Sequence, residues 1–295
     1  MNILIVGASG LLGLALVEEL QNSNRLYIAA RSVSDKAPHS WPNHSINIEL
    51  CDFSTLAFPK DIEAVYYLAQ SREFRDFPEG ASDMFKVNIE APLKLIQWAH
   101  KNNVKKFIYA SSGGVYKNPS QPVKEFFNVN ANEDYGFYLG SKLSAEILLR
   151  NFAQYFETFI IARPFFMYGA GQNKTMLIPR LIQNVIDHKT ITINENGGIK
   201  INPIYVTDAA KAFAKFLELQ GDHLINIAGN ETVSLQELCE KIGIIVKKSP
   251  NFDILFSSQN DLIADISLMK NRLHLPEISL EKGLVTTFNA MTNDT

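Results

Sequence analysis

The first twenty residues constrain this chain most. A short uninterrupted apolar run, Ile3 to Val6, turns directly into Gly7-Ala8-Ser9-Gly10-Leu11-Leu12-Gly13, and a helical apolar period follows over 11–20. A strand apolar at successive positions belongs in a parallel sheet covered on both faces. Three glycines spaced GxxGxxG between such a strand and a helix have separate tasks. Gly7 permits the tight turn, Gly10 lets a phosphate approach the backbone, and Gly13 lets the helix pack close to the strand. The helix N-terminus then offers free N–H groups and a positive dipole end to an anion. Gly7, Ser9, Gly10, Leu11, Leu12 and Gly13 are therefore candidates to hold the pyrophosphate of a dinucleotide. A turn with only a packing role uses the same letters; the flanking strand and helix favour binding.

The alternation continues. Strands are predicted at 26–30, 46–50, 64–68, 107–110 and 159–162, and helices at 84–101 and 138–156. This pattern predicts a Rossmann-type α/β fold, a right-handed doubly wound parallel sheet, over residues 1–165. After Arg163-Pro164 the proline and glycine content rises, with helical stretches near 177–187, 208–219 and 234–242. Residues 166–295 are read as a smaller substrate-binding lobe, with segments near 199–216 returning to the first domain.

Composition excludes several classes. Of 295 residues, 46% are hydrophobic and 20% charged, which suits a globular chain and not a disordered one. A balance of 28 basic against 31 acidic residues gives no basic surplus for nucleic acid or anionic membrane. Cys51 and Cys239 are too far apart for a CxxC site and too few for a disulfide scaffold, which suits a reducing compartment. There is no signal-peptide pattern and no run of about 18 apolar residues, so a cytoplasmic location is expected. The six histidines show no metal-binding spacing, and no metal is expected.

The second strand ends at Ala30, followed by Arg31-Ser32, where an acidic residue would select the ribose hydroxyl of NAD. Arg31 and Ser32 instead suit a 2′-phosphate, favouring NADP over NAD. A solvated loop arginine is the alternative.

Tyr138 and Lys142 are four apart, on one face of a predicted helix. An ammonium beside a phenol stabilises the phenolate and makes the pair a proton-transfer device. Tyr-x-x-x-Lys alone is weak; its position at the start of the helix after the fifth strand gives it weight. That strand ends in Ser111-Ser112 before Gly113-Gly114, at the sheet edge where ligands bind. A hydroxyl there can hold a substrate oxygen beside Tyr138, although a serine pair before glycines is also ordinary turn chemistry.

With these residues in view, the chain resembles the extended short-chain dehydrogenases/reductases, in particular the NAD-dependent epimerase/dehydratase family of nucleotide-sugar enzymes. The resemblance runs through Gly7 to Gly13, Cys51-Asp52-Phe53, Tyr67-Leu68-Ala69-Gln70, Val87-Asn88, Phe107 to Tyr116, Tyr138 to Lys142, Arg163 to Gly169, Ile204 to Asp208, Asn226 to Gly229 and Ser279 to Leu284. It implies that Ser112 positions the substrate oxygen, Tyr138 is the acid–base, and Lys142 binds the nicotinamide ribose and tunes Tyr138. It adds Asp52, Phe53, Leu68, Ala69, Ser111, Pro164, Phe165 and Met167 to the cofactor-binding set, and has Asn88 brace the active-site helices. Gly113 joins Ser112 and Tyr138 on the substrate side. Family dehydratases and decarboxylases carry acidic residues after the catalytic hydroxyl, and the fucose-synthase branch a cysteine. Gly113 and Gly114 stand there instead. The resemblance thus implies redox at a single hydroxyl or keto carbon, by an epimerase or a ketoreductase. The arginine that often holds the substrate diphosphate is replaced by the Ile199–Pro203 stretch, leaving Lys200 or Arg180 as candidates. A small non-sugar carbonyl substrate, or a non-catalytic NADP(H) sensor on the same fold, stays open. Family members often pair through the helices at 84–101 and 138–156, and the surplus apolar positions of the second make a homodimer the expectation.

Overall fold

The structure is a computed structural model describing residues 1–30, 45–47, 59, 61–117, 119, 122–130, 132–257 and 260–293. Its main sheet contains β1 (Asn2–Val6), β2 (Arg25–Ala30), β3 (Ser45–Asn47), β4 (Ala64–Tyr67), β5 (Lys106–Ala110) and β6 (Thr158–Pro164), paired in parallel in the order β3-β2-β1-β4-β5-β6. This is the doubly wound Rossmann order, which reverses between β1 and β4 and opens a ligand crevice at the strand carboxyl ends. The apolar runs predicted from sequence are buried throughout Ile3–Val6 and along all of β4.

Helix α1 spans Leu11–Leu20, matching its predicted bounds. The helix predicted at 84–101 is instead α2 (Ala81–Phe85), one π-helical turn (Lys86–Glu90) and α3 (Ala91–Lys101). Pro92 explains the interruption: it has no N–H to return to the Asn88 carbonyl. The Tyr109 hydroxyl donates to that carbonyl at 3.3 Å, and the Tyr67 hydroxyl donates to the Val87 carbonyl at 2.5 Å. Two core tyrosines thus satisfy the groups that the wider turn releases. Helix α4 covers Gly136–Arg150, and the remainder of its predicted range holds a short 3₁₀ turn, Ala153–Tyr155.

The chain divides into two compact units. The first comprises Met1–Val115, Asn130–Arg163 and Ala210–Ile225; the second comprises Tyr116–Val129, Pro164–Ala209 and Asn226–Thr295. The third segment of the first unit therefore lies later than the 199–216 expected, and 116–129 joins the second unit rather than the first. Leu95, Ile96 and Ala99 of α3, and Ala145 and Leu149 of α4, join Tyr67, Phe107, Tyr109 and Phe159 in the first unit's core.

Onward from β6 come α5 (Leu177–Ile186), β7 (Thr190–Asn194), β8 (Lys200–Ile201), α6 (Val206–Lys215), β9 (Gly221–Ile227), β10 (Val233–Ser234), α7 (Leu235–Val246), β11 (Asn251–Leu255), α8 (Ser267–Arg272) and α9 (Leu280–Asn293). β9 extends the main sheet beside β6, while β7 pairs with β11 and β8 with β10 in two small sheets. Among the described residues, no helix is long and apolar enough to cross a membrane.

Candidate active site

The glycine turn has the geometry its sequence predicts. Gly7 has φ +90°, a left-handed conformation, and a Cβ added there would lie 2.6 Å from the Ala69 nitrogen. A Cβ on Gly13 would lie 2.5 Å from the Ala8 Cα. Only glycine fits either place. The turn is closed by Gly7 N–H to the Ala29 carbonyl (3.0 Å) and Gly10 N–H to the Gly7 carbonyl (3.1 Å). Gly10 caps α1 with no side-chain hydrogen bond, so the N–H groups of the first helical turn are left to face an anion. Leu68 and Ala69 continue β4 beside this turn, with the Leu68 N–H bonded to the Val6 carbonyl at 2.8 Å. Ser111 Oγ, at the end of β5, is buried and has no hydrogen-bond partner among the described residues. An unsatisfied hydroxyl at the carboxyl end of the same sheet, two strands from the glycine turn, fits a polar ligand lying across the strand ends. Arg31, Ser32, Asp52 and Phe53, the other predicted cofactor residues of this unit, lie outside the described residues.

Ser112, Tyr138 and Lys142 occupy the same unit, at the end of β5 and the start of α4. The Tyr138 hydroxyl interacts with Ser112 and donates to Gln70 Oε1 at 3.3 Å. Burial pushes the Tyr138 phenol up to about 12, with the Ser112 contact opposing it. Lys142 is 2% exposed; its Nζ donates to the Ala110 carbonyl at 3.0 Å and lies 5.1 Å from the Tyr109 ring centroid. Burial pulls its ammonium down to about 8, and the Glu146 carboxylate opposes that fall. One turn beyond Lys142, Glu146 is held by Arg163, with Nε donating to Oε1 at 2.9 Å and Nη2 to Oε2. Asn88 links the π-helical turn to α4 through Nδ2 to Ser141 Oγ at 2.9 Å. Sequence reasoning gave the lowering of the Tyr138 pKa to Lys142. Here the effect opposing burial at Tyr138 comes from Ser112, and the lysine proton is directed to a strand-end carbonyl.

Gly113 is buried, and Gly114 N–H donates back to Ser112 Oγ at 3.2 Å. A Cβ on Gly114 would lie 2.8 Å from Leu139 Cδ2, so a side chain there would have to displace the end of the Leu139 side chain. The remaining predicted residues belong to the second unit. Pro164 ends β6, and buried Phe165 stacks on Tyr116 at 5.9 Å. Phe166, at φ +41°, turns the backbone before half-buried Met167. Arg180 is exposed on α5 and Lys200 exposed on β8.

The model of the NAD dependent epimerase/dehydratase family matches residues 3–228. The chain belongs to that family. A UDP-glucuronate 4-epimerase of Thermodesulfobacterium geofontis is 25% identical over 307 residues, covering 97% of this chain and 94% of that protein. Among solved structures, a UDP-N-acetylglucosamine 4-epimerase from Methanobrevibacter ruminantium, in complex with UDP-N-acetylmuramic acid, superposes with TM-score 0.86 at 25% identity, over 100% of this chain and 99% of the other. A UDP-glucuronic acid 4-epimerase from Bacillus cereus, in complex with UDP-glucuronic acid and NAD, gives TM-score 0.84 at 24% identity and full coverage of both chains. In this family member the glycine turn, Ser112, Tyr138 and Lys142 lie within one unit, and Gln70 lies against the Tyr138 hydroxyl.

Proposed function

We propose that the chain is a nucleotide-sugar epimerase, inverting one hydroxyl-bearing carbon by oxidation followed by reduction on the opposite face. The observation that carries this reading is Ser112 against the Tyr138 hydroxyl, with Lys142 one helical turn away and two glycines where an acid would do further chemistry. The full-length likeness to 4-epimerases of UDP-sugars supports a UDP-sugar substrate reacting at that carbon.

The pyrophosphate of a dinucleotide would rest on Gly7, Ser9, Gly10, Leu11, Leu12 and Gly13, with Leu68, Ala69 and Ser111 along its path and Lys142 at its ribose. When bound, its nicotinamide supplies the site for hydride transfer. Ser112 holds the substrate oxygen. Tyr138 takes a proton from that oxygen as the carbon is oxidised and returns one as it is reduced. Lys142, kept cationic below about 8, favours the phenolate at the moment the proton moves. NAD fits this cycle, since the dinucleotide ends as it began. Arg31 and Ser32 support the alternative preference for NADP, which suits a ketoreductase. In the second unit, Arg180 and Lys200 are the candidates for the substrate diphosphate, while Pro164, Phe165 and Met167 are candidates to flank the nicotinamide. Exposed Phe85, Ile147, Leu148 and Tyr155 support pairing of two copies through the α3 and α4 region.

The test is a panel of UDP-glucuronic acid, UDP-glucose and UDP-N-acetylglucosamine, each incubated with the protein and NAD, with the products resolved by chromatography. A C4 epimer formed without net change in NAD supports the epimerase. Consumption of NADPH with a keto-sugar and no epimer would transfer the assignment to a ketoreductase. Dinucleotide binding with neither reaction would favour the sensor.

A further inference from the structure

Gln70 is the residue of this site for which neither the Ser-Tyr-Lys set nor the glycine turn gives a role. It follows β4 directly and brings a neutral amide to the one hydroxyl on which proton transfer depends, Tyr138 Oη, at 3.3 Å. The segment carrying it is pinned. Ser71 Oγ donates to Asp83 Oδ2 of α2, and the Glu73 N–H donates to Ser71 Oγ at 3.1 Å. The same segment covers the start of α4: the Phe74 ring lies 5.4 Å from the Tyr138 ring, and Phe77 stacks on Phe137 at 5.5 Å. The Arg75 guanidinium lies over Phe74, 4.8 Å from its centroid. The Phe74 ring beside Tyr138 replaces water on that side of the tyrosine, which favours its hydrogen bonds.

We propose that Gln70 is a positioning residue for the acid–base step: its side-chain carbonyl holds the Tyr138 proton on the β4 side of the site until a substrate oxygen takes it. This rests on Tyr138 being the proton-transfer group. A carboxamide suits the task because it has an acceptor and a donor on one flat group. While Tyr138 is protonated, Oε1 accepts from it. Once the proton has passed from Tyr138 Oη to the substrate oxygen, a half-turn of the amide presents Nε2 as donor to the phenolate. Leucine or methionine could do neither, and glutamate could serve only the protonated state. Ser112 interacts with the same hydroxyl from β5, and Tyr109 of β5 interacts electrostatically with Tyr138; on the packed elements nearby, Lys142 on α4 pairs with Glu146, and Arg75 on the covering segment lies over Phe74. None of these replaces a neutral amide at the hydroxyl.

The test needs no knowledge of the sugar. In the NAD-saturated protein, phenolate absorbance is titrated in Gln70→Lys and in Gln70→Lys/Tyr138→Phe, and their difference isolates Tyr138. An ammonium placed where the amide now contacts the hydroxyl should bring the phenolate out at least about one pH unit below wild type. Gln70→Met, assayed with UDP-glucuronic acid and NAD, should lower kcat roughly tenfold and leave KM within about twofold, because orientation and not binding is lost. An unshifted Tyr138 titration in Gln70→Lys, or an unchanged kcat in Gln70→Met, overturns the proposal. If one variant does not fold, the other decides. If no sugar reacts, the titration still decides, and that failure falls on the epimerase reading alone.

Discussion

In the first unit the buried polar groups cluster at strand ends and along one face of α4; in the second they lie beneath loops and hold backbone. Tyr138, Lys142 and Glu146 follow one another at helical spacing, and their bonds run to Gln70 after β4, to the Ala110 carbonyl at the end of β5 and to Arg163 of β6. In the second unit, Asn202 donates to the Ala264 carbonyl at 3.0 Å and accepts from the Ala264 N–H at 3.0 Å. Asn226 donates to the Val123 carbonyl at 2.9 Å and accepts from the Tyr116 hydroxyl at 3.0 Å. Asp208, fully buried, accepts from the N–H groups of Glu277 and Ile278 at 3.1 and 2.9 Å and meets His274 Nε2 at 2.9 Å. The contrast separates two uses of buried polarity. On the proposed function, one kind serves chemistry at a cost to stability; the other replaces regular secondary structure as the satisfier of loop backbone.

That separation can be broken by substitution. Tyr138→Phe removes a hydroxyl placed for chemistry, so turnover should fall about 10²–10⁴-fold while thermal unfolding barely moves. Loss of folding in step with activity would place Tyr138 with the structural group. Asp208→Ala should do the reverse. Removing a buried carboxylate from two N–H groups should destabilise by roughly 2–4 kcal/mol in urea unfolding, with dinucleotide affinity in the surviving folded fraction unchanged. The most gradual effect is a pH dependence. Burial lowers Lys142 from 10.5 to about 8, so below about 8 the charge is present in both folded and unfolded chains and the folded one bears the burden. Above 10.5 neither state is charged. Wild-type stability should therefore rise relative to Lys142→Met as pH climbs from about 8 to 10.5, by at most about 1.4 kcal/mol per unit. A difference flat in pH would mean that the lysine is not carried at a cost.

The first unit was the more legible in sequence for the same reason. Strands buried on both faces write themselves as unbroken apolar runs, and Gly7 and Gly13 are required by contacts that any larger residue would violate. Tyr138 and Lys142 showed through their spacing. Gln70 did not: a single amide after a strand has no periodicity, and it is the return of α4 that brings the Tyr138 hydroxyl to it. The interruption at Lys86–Glu90 was hidden because Pro92 follows so close to the start of the next helix, where proline is tolerated, and the tyrosines that rescue the carbonyls come from β4 and β5. In the second unit the braces join residues 62 to 110 positions apart, with no local pattern to announce them.

The central claim is that Ser112, Tyr138 and Lys142 serve reversible redox at one sugar carbon. UDP-glucuronic acid deuterated at C4, incubated with the protein and NAD, tests it most directly. The account predicts a C4 epimer that keeps its deuterium at C4, because hydride leaves and returns within the bound complex, and no such product from Tyr138→Phe at comparable rate. An epimer that has exchanged its label with solvent, or one formed equally fast by Tyr138→Phe, would contradict it.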